Sequence, residues 1–429
     1  MSIRRKLLLA IPLALLVVAG GCKVNSINYF PPHPAQVRVI NLMPEPASLD
    51  VSIGGSPAFA AVPFQSLTSY QSYDNQSTSF SVAVTGSATP LVSFSFPLAG
   101  EQPYTLVLMG TLANPSATLL AEVPNAPTNG NIQLSVFNAA INNASVDIYV
   151  TAPGADITQL NPNYFNVSYN GVSLNLAFPP GTYQIQICEQ GTKNVIYDSG
   201  GTVLQSNIAL TLLAYTRGSA ALVNAAVIES KGGGALLNTI FAFVKAINAG
   251  TGTTTVDLLQ GTTKQISAVA YANASVYQQV SQGATTLNFQ ATDTPGTIIA
   301  SVPATLVPAT DTSTFVTGPA GALQAYTLND VNLPPLGSNV RLRFVNTSWN
   351  SNPVNVSVNN VPQASNIAFP NASGYVQVAS GTYPITFTDA ATGAVVLQLD
   401  AVNLLTVGTY TVYAIGPSGA LGGFVTQDD

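Results

Sequence analysis

The sequence predicts an all-β protein made of four tandem Ig-like β-sandwich modules, preceded by a signal peptide and a short tether. Three observations predict this class. A pattern of apolar strands and polar residues recurs four times along the 429 residues. Apolar and polar residues alternate with period two, and Gly, Asn and Pro mark turns at short intervals. No segment after residue 21 sustains the period of an amphipathic helix.

The N-terminus has the form of an export signal. Arg4, Arg5 and Lys6 precede an uncharged apolar stretch over residues 7–21, which is too short to span a membrane comfortably. The segment VAGGC, ending at Cys22, resembles the lipobox of bacterial lipoproteins. This resemblance implies cleavage before Cys22 and its lipidation. An ordinary signal peptide with an incidental cysteine is the alternative.

The residues that follow Cys22 indicate where the protein is displayed. Lys23 stands where an Asp would resemble an inner-membrane retention signal, so we expect an outer-membrane or cell-surface location. Residues 22–35 contain several prolines and the only histidine, His33, and predict an extended tether. With Cys22 lipidated, Cys188 has no disulfide partner and is expected to be a buried apolar residue.

Internal repeats organise the rest of the chain. Each copy opens with an apolar strand that ends in Asn, and an acidic or amide residue follows nine positions later between two aliphatic residues. The four pairs are Asn41 and Asp50, Asn138 and Asp147, Asn248 and Asp257, and Asn346 and Asn355. The distance from the second residue of the pair to a following aromatic residue is 14 in three copies and 22 in the second copy. The second copy is therefore predicted to carry an eight-residue insertion near residues 151–158.

Short Pro- and Gly-rich segments predict the module boundaries. The segments PNAPTNG, KGGG and LPPLGS are typical of short linkers. They divide the chain into a signal peptide at residues 1–21, a tether at 22–35 and modules at 36–126, 127–234, 235–336 and 337–429. We expect the four modules to follow one another as a linear string.

The first repeat also resembles a known family. The segment VRVINLMPEPASLDV, over residues 37–51, is similar to the opening of the bacterial domain-of-unknown-function family 4397 (DUF4397), which typically reads V-R-V-x-H-A-S-P-D-A-P-x-V-D-V. Later parts of the same pattern are found near Asp147 and at residues 180–183. The resemblance implies a sandwich-like fold on exported cell-envelope proteins and no established activity. This chain has Asn where the family often has His, so a role that depended on that His is absent.

Composition and charge exclude several kinds of function. The chain is 47% hydrophobic and 7% charged, with a net charge of −6, so nucleic-acid binding is excluded. A single histidine leaves no Ser-His-Asp or Cys-His arrangement and no histidine metal cluster. The repeated Asn and Asp residues supply too few acidic oxygens for calcium, and we interpret them as turn and strand-end stabilisers. We therefore predict no catalytic residue, no metal and no cofactor.

The remaining candidates lie in the fourth module. Trp349, the only tryptophan, falls in a polar loop and is a candidate ligand contact, with a cover over the sandwich core as the alternative. Arg341 and Arg343 share one face of a strand and are interpreted as solvated surface.

Two functions fit the sequence best. The first is a lipid-anchored cell-envelope protein for non-enzymatic surface binding or adhesion, with a glycan or another envelope protein as partner. The alternative is a structural envelope spacer without a specific ligand. A remote third function is a glycan-acting hydrolase, which requires two carboxyl groups roughly 5–10 Å apart in a cleft.

Overall fold

The computed structural model describes residues 33–218, 222–405 and 407–428. Within these ranges every regular element is a β-strand, and the strands form eight sheets of four or five strands. The prediction of an all-β chain of tandem β-sandwich modules is confirmed. The signal peptide and Cys22 lie outside the described residues.

Module 1 contains two sheets, with strand orders β4-β1-β8-β9 and β3-β2-β6-β7, and β5 also pairs with β1. Its strands are β1 (Ala35–Asn41), β2 (Ser48–Ile53), β3 (Ser56–Pro63), β4 (Ser66–Leu67), β5 (Gln71–Tyr73), β6 (Ser77–Val84), β7 (Pro90–Pro97), β8 (Pro103–Gly110) and β9 (Pro115–Ala121).

Module 2 has the sheet orders β13-β10-β16-β17-β18 and β12-β11-β14-β15. Its strands are β10 (Ile132–Ala139), β11 (Ser145–Thr151), β12 (Tyr164–Ser168), β13 (Leu176–Phe178), β14 (Gly181–Glu189), β15 (Val195–Leu204), β16 (Ile208–Thr216), β17 (Val223–Glu229) and β18 (Gly234–Leu237). The long loop between β11 and β12 contains the residues where the insertion is predicted. Ile157 in this loop packs on Tyr149 and Cys188.

Module 3 has the sheet orders β22-β19-β26-β27, with β23 also paired with β19, and β21-β20-β24-β25. Its strands are β19 (Ala242–Gly250), β20 (Thr255–Gln260), β21 (Thr263–Ala270), β22 (Asn273–Ala274), β23 (Gln278–Val280), β24 (Gly283–Ala291), β25 (Ile298–Leu306), β26 (Asp311–Gly318) and β27 (Gln324–Asp330).

Module 4 has the sheet orders β31-β28-β34-β35 and β30-β29-β32-β33. Its strands are β28 (Asn339–Asn346), β29 (Val354–Val358), β30 (Val361–Ile367), β31 (Val376–Ala379), β32 (Gly381–Asp389), β33 (Val395–Leu404), β34 (Thr409–Ile415) and β35 (Gly422–Gln427).

In every module the opening strand lies inside its sheet and pairs in parallel with a strand near the end of the module. The parallel pairs are β1 with β8, β10 with β16, β19 with β26, and β28 with β34. Successive residues of these strands face opposite sides of the sheet. One side faces the sandwich core, and the other faces away from it.

The outward sides of these sheets are also buried, because the modules pack against each other in pairs. In β8, Leu106 and Leu108 belong to the core of module 1, whereas Val107 and Met109 pack with Phe137 and other residues of module 2. Modules 3 and 4 pack in the same way, through residues that include Phe315 and Tyr413. The expectation of a linear string is wrong for these pairs, since each pair shares an apolar interface between its first sheets.

Candidate binding site

A buried charged side chain lies on the outward face of the opening strand of module 1. Arg38 is 1% exposed and donates hydrogen bonds to the Glu122 carboxylate over 3.0 and 3.2 Å and to Thr105 Oγ1 over 2.8 Å. The ring of Tyr70 covers the guanidinium at 4.5 Å, and the Tyr70 hydroxyl donates to Glu122 over 2.7 Å. We call this arrangement of a basic residue, a tyrosine, a hydroxyl residue and an acid the charge cluster.

Strand register places the same arrangement in modules 3 and 4. At the positions equivalent to Arg38 and Thr105, module 3 has Lys245 and Ser313, and module 4 has Arg343 and Thr411. The acids are Asp330 and Asp428, and the tyrosines are Tyr277 and Tyr375, whose rings lie 4.9 and 5.1 Å from the respective basic groups.

The two clusters of modules 3 and 4 exchange partners across the module interface. Lys245 of module 3 pairs with Asp428 of module 4, and Arg343 of module 4 pairs with Asp330 of module 3 at 2.6 Å. Burial alone would lower the pKa of Lys245, but the nearby Asp428 carboxylate raises it above its ordinary value. Lys245 therefore remains charged, and the pairs link the two modules reciprocally.

Module 2 carries a neutral version of the cluster. Ser135 and Thr211 stand at the positions of the basic and hydroxyl residues, with their side-chain oxygens 3.1 Å apart. Module 2 thus has no basic residue here to exchange with module 1. Arg38 instead pairs with Glu122 of its own module and donates to the carbonyl oxygens of Glu229 and Gly232 in module 2, over 2.8 and 2.6 Å.

The interpretation of Arg343 as solvated surface is wrong. Its side chain is 2% exposed, because the face it shares with Arg341 is covered by module 3 and by the ring of Tyr375. Arg341 donates to the carbonyl oxygens of Val331 and Leu333 in the linker between modules 3 and 4. A period-two pattern identifies the shared face but does not reveal a neighbouring module that covers it.

A cavity of about 260 Å³ lies where the four modules meet. Several of its floor residues are ionisable and buried: Lys245, Tyr277, Asp311, Asp330 and Asp428. Its rim includes the exposed side chains Val276, Val331 and Leu333, and modules 1 and 2 contribute Phe64, Gln65, Arg217 and Leu222 among others. We call this space the central cavity; it combines apolar edges with a polar floor.

One wall of the central cavity is built around Asp311, at the start of β26. Arg217 of module 2 pairs with Asp311 Oδ1 at 2.9 Å, and Asn332 of the linker donates to Asp311 Oδ2 over 3.1 Å. Burial raises the pKa of Asp311 to about 6, and Asp330 raises it too, while Arg217 opposes the shift. The guanidinium of Arg217 also stacks on Phe243 at 4.3 Å and donates to the Ala309 carbonyl oxygen.

Two buried polar atoms of this wall have no hydrogen-bond partner within the protein. They are Nη1 of Arg217, a donor, and Oδ1 of Asn332, an acceptor. Buried polar atoms without a partner are costly, and each calls for an explanation. Both atoms are fully buried, so neither is exposed to the central cavity.

The four repeated asparagines are fully buried and join the two sheets of each module. The side-chain oxygen of Asn41 accepts from the backbone N–H of Met43 over 3.0 Å, and its nitrogen donates to the Val62 carbonyl oxygen over 3.0 Å. Asn138, Asn248 and Asn346 make the equivalent bonds. The oxygen forms an Asx turn, and the nitrogen fixes the neighbouring strand.

The second repeated residue holds a left-handed backbone position. Asp50 accepts from the N–H of Ala61 over 2.7 Å, and Ala61 has φ +48°. Asp147, Asp257 and Asn355 accept in the same way from Asn166, Ala268 and Asn366, whose φ values are also positive. Each acceptor lies opposite an irregularity in strand pairing, so the geometry is that of a stabilised β-bulge.

The other predicted residues lie apart from the central cavity. Trp349 is half-buried in a turn after β28. Cys188 is a buried free cysteine in β14, and burial raises the pKa of its thiol to about 11. His33 pairs with Glu101 at 2.8 Å on an exposed surface.

Module 2 presents a separate apolar surface. Phe165, Val172 and Leu174 are 67%, 62% and 84% exposed, and they line a concavity of about 300 Å³ beside β12. Exposed apolar groups of this kind mark interaction surfaces. This surface is a second candidate for ligand contact.

The charge cluster and the central cavity were not predicted from the sequence, although the cluster has a sequence signal. The basic residue stands three positions before the repeated Asn in modules 1, 3 and 4, and the acid follows it 84 or 85 residues later. Glu122, Asp330 and Asp428 could have been found by extending the repeat alignment to this distance. The central cavity has no such signal, because it depends on how the modules assemble.

Two further structural features bear on function. In the part of the chain that the structure describes, no three His, Cys, Asp or Glu side chains are grouped to hold a metal ion. Nor does any helix among those residues have the length and apolar character needed to cross a membrane.

Comparison with known families identifies the repeat. The model for a domain of unknown function, DUF4397, matches residues 35–149, 242–357 and 347–429. The chain belongs to the DUF4397 family. The predicted resemblance is therefore confirmed. The DUF4397 matches leave out residues 150–241, most of module 2, which has the long β11–β12 loop and the neutral cluster.

A comparison with curated proteins finds no match to this DUF4397 chain. Among solved structures, a streptococcal virulence factor described as binding alpha-glucan gives a TM-score of 0.17 at 10% identity, covering 41% of this chain and 93% of that one. CBMbc (family CBM26) of Eubacterium rectale Amy13K, in complex with maltoheptaose, gives 0.16 at 13% identity, covering 46% and 96%. The Bacillus anthracis TIE protein gives 0.15 at 8% identity, covering 87% and 69%. TM-scores this low establish no common fold.

Proposed function

We propose that this DUF4397 protein is a lipid-anchored component of the bacterial cell envelope, at the outer membrane or cell surface, that binds a ligand without catalysing a reaction. The basic and apolar segments before Cys22 support export and anchoring. Several acyl chains on one cysteine anchor a protein firmly, whereas a single chain does not. The proline-containing tether would separate the modules from the membrane.

The anchor is tested by Cys22→Ser in the full chain. We expect the wild type in the membrane fraction and the variant in the soluble fraction, because the substitution removes the lipid attachment point. Cys188→Ser is the matched control and should leave the protein membrane-bound. A Cys22→Ser protein that stays with the membrane would contradict lipid anchoring.

The central cavity is the single observation that carries the binding function. Residues from all four modules line it, and its apolar rim and polar floor have the mixed character of small-ligand sites. The carboxylates on its floor are each paired with a basic side chain, and these pairs hold the floor in a fixed geometry. A cavity floor that is rigid before the ligand arrives lowers the entropic cost of binding.

The binding function is tested with the chain from Lys23 onward, which contains every described strand. Its saturable binding to isolated cell envelopes and to a panel of polysaccharides is measured beside three variants, Arg217→Lys, Trp349→Ala and Phe165→Ser. These variants separate the central cavity, the Trp349 turn and the apolar surface of module 2. We expect the cavity variant to bind most weakly. Absence of saturable binding by the unsubstituted chain would favour the structural spacer.

A glycan-acting hydrolase is a second candidate, favoured by one observation. Asp311, Asp330 and Asp428 line the same cavity, and burial raises the pKa of Asp311 to about 6, as is typical of a general acid. All three carboxylates are held in ion pairs with basic side chains, and this favours a binding function over hydrolysis. The panel polysaccharides are therefore also assayed for new reducing ends. If the wild type releases new reducing ends and Asp311→Asn does not, the protein is a hydrolase and the proposed binding function is wrong.

A further inference from the structure

We propose that modules 1 and 2 form one rigid body, that modules 3 and 4 form a second, and that the two bodies open and close around the central cavity. Arg217, Asp311 and Asn332 form the latch between them. This motion goes beyond the proposed binding function, because it belongs to the chain with or without a ligand. The contacts within each pair of modules differ in kind from the contacts between the pairs.

The contacts within each pair are largely apolar. Val107 and Phe137 belong to one cluster of buried residues that joins modules 1 and 2, and Phe315 and Tyr413 belong to another that joins modules 3 and 4. Exchanged, buried ion pairs also link modules 3 and 4. An interface of this kind holds two modules in one arrangement, because separation would expose apolar surface and buried charge to water.

The contacts between the two pairs are mainly polar. Among the residues that the structure describes, no cluster of buried apolar side chains includes members of both pairs. Beside the ion pair of Arg217 with Asp311, hydrogen bonds across this boundary join Arg217 to Ala309, Ala47 to Pro335 and Gln279 to Val195. Domains that meet without a large apolar interface are expected to move relative to each other.

The latch contains two polar atoms that closure leaves without a partner. Arg217 Nη1 and Asn332 Oδ1 are buried and make no hydrogen bond within the protein, which destabilises the closed state. Water can reach both atoms once the two bodies separate. The ion pair of Arg217 with Asp311 and the stacking of Arg217 on Phe243 favour closure instead. Opening breaks these interface contacts and leaves the core of each module intact.

The hinge is the short linker between β18 and β19, through which the chain passes from one pair to the other. Strand β18 ends at Leu237 and β19 begins at Ala242, so residues 238–241 form this linker. The N–H of Ile240 donates to the Asp198 carbonyl oxygen over 2.9 Å, which holds the linker against module 2. A few residues outside regular strands are sufficient to absorb the backbone rotation of a hinge.

Acidity should favour the closed state. The charged and polar groups around the Asp311 carboxylate are Arg217 after β16, Lys245 of β19, Tyr277 before β23, Asp330 of β27 and Asn332 of the linker between modules 3 and 4. Burial raises the pKa of Asp311 from 3.8 to about 6 in the closed state, whereas water restores its ordinary pKa in the open state. The closed state therefore binds this proton more tightly. The ratio of open to closed molecules should rise about tenfold between about pH 5 and about pH 7.

The test is single-molecule fluorescence energy transfer on the chain from Lys23 onward, with Cys188→Ser so that only introduced cysteines carry dyes. One dye pair spans the two bodies, at the exposed positions Ala88 of module 1 and Thr294 of module 3. A second dye pair, at Ala88 and the exposed Gln190 of module 2, lies within one body. We expect a main closed population and a smaller extended one for the first dye pair, and a single population for the second.

Two variants and a matched control test the latch. Arg217→Met leaves the Asp311 carboxylate without its ion pair, so the open population at about pH 7 should grow several-fold. Asp311→Asn has no titrating carboxyl group, so its ratio of open to closed molecules should not depend on pH. Lys264→Met removes a cation whose pair with Asp257 lies within module 3, and it should behave as the wild type does. The thermal midpoint of every variant separates opening from unfolding.

The outcomes decide the motion separately from ligand binding. An extended population that grows with pH and in Arg217→Met, seen only by the dye pair that spans the two bodies, supports the latch. A single population for both dye pairs in every variant, or a wild-type ratio that does not change between about pH 5 and about pH 7, would overturn it. No ligand is present in these measurements, so either failure leaves the binding function to be decided by envelope binding.

Discussion

Replacement of Lys245 by Met tests whether the exchanged ion pairs hold modules 3 and 4 together. The side chains of Lys245 and Asp428 are 1% and 0% exposed, so neither charge is solvated when its partner is removed. Asp428 would keep its hydrogen bonds from Thr411 and Thr426 and would have Arg343 Nη2 at 3.9 Å. These contacts replace only part of the stabilisation that the Asp428 carboxylate loses when Lys245 is removed.

The expected cost follows from the burial of the pair. Removing one partner of a buried ion pair costs about 3–5 kcal/mol, and the remaining contacts of Asp428 place Lys245→Met near 3 kcal/mol. Asp428→Asn leaves the ammonium buried without its carboxylate and should cost a similar amount. The double variant buries no unpaired charge at these positions, so its cost should be smaller than the sum of the single costs by about 2–3 kcal/mol.

The assay is urea unfolding combined with scanning calorimetry on the chain from Lys23 onward, since a chain of several modules need not unfold in one step. The transition that shifts in Lys245→Met is assigned to modules 3 and 4. Lys264→Met is the control, because Lys264 is 46% exposed and the buried Asp257 carboxylate keeps hydrogen bonds from Ala268 and Thr292, so its cost should be about 1 kcal/mol. A Lys245→Met effect no larger than the control, or strictly additive single effects, would refute the reasoning.

Two other predictions concern the repeated Asp and the cavity wall. Asp50→Ala should destabilise module 1 by about 1–3 kcal/mol, because the Ala61 and Gly86 N–H groups lose their acceptor; a calcium-dependent melting shift that the variant lacks would contradict this structural role. Burial raises the pKa of Asp311 from 3.8 to about 6, so the folded state binds this proton more tightly than the unfolded state. The contribution of Asp311 to the free energy of unfolding should therefore fall by about 3 kcal/mol as the pH rises from about 4 to 6 and stay level above that range. The difference between wild type and Asp311→Asn in urea unfolding at several pH values measures this slope, and a flat difference would contradict it.

The interior of each module was predictable from the sequence. Val37 and Val39 alternate with residues of the opposite face, and the spacing from Asn41 to Asp50 recurs in every copy. These are local properties of one strand and the loop that follows it, so the backbone period and turn chemistry suffice to predict them. The structure adds the partner of each side chain, such as the bond from Asn41 to the Val62 carbonyl oxygen.

The relation between modules was not predictable in the same way. Arg343 and Val345 lie on a face that a solitary sandwich would expose to solvent, yet module 3 covers both. Alternation along a strand gives the face of a residue and not the identity of what packs on it. The wall formed by Arg217, Asp311 and Asn332 joins two modules and a linker, and no local pattern connects three such distant positions.

The binding function requires the four modules to assemble around the central cavity. Small-angle X-ray scattering on the chain from Lys23 onward tests this assembly most directly. A compact chain of this length has a radius of gyration of about 22 Å, and we predict a value close to it with a single-peaked distance distribution. A much larger radius with the extended distribution of separate modules on a string would contradict the account.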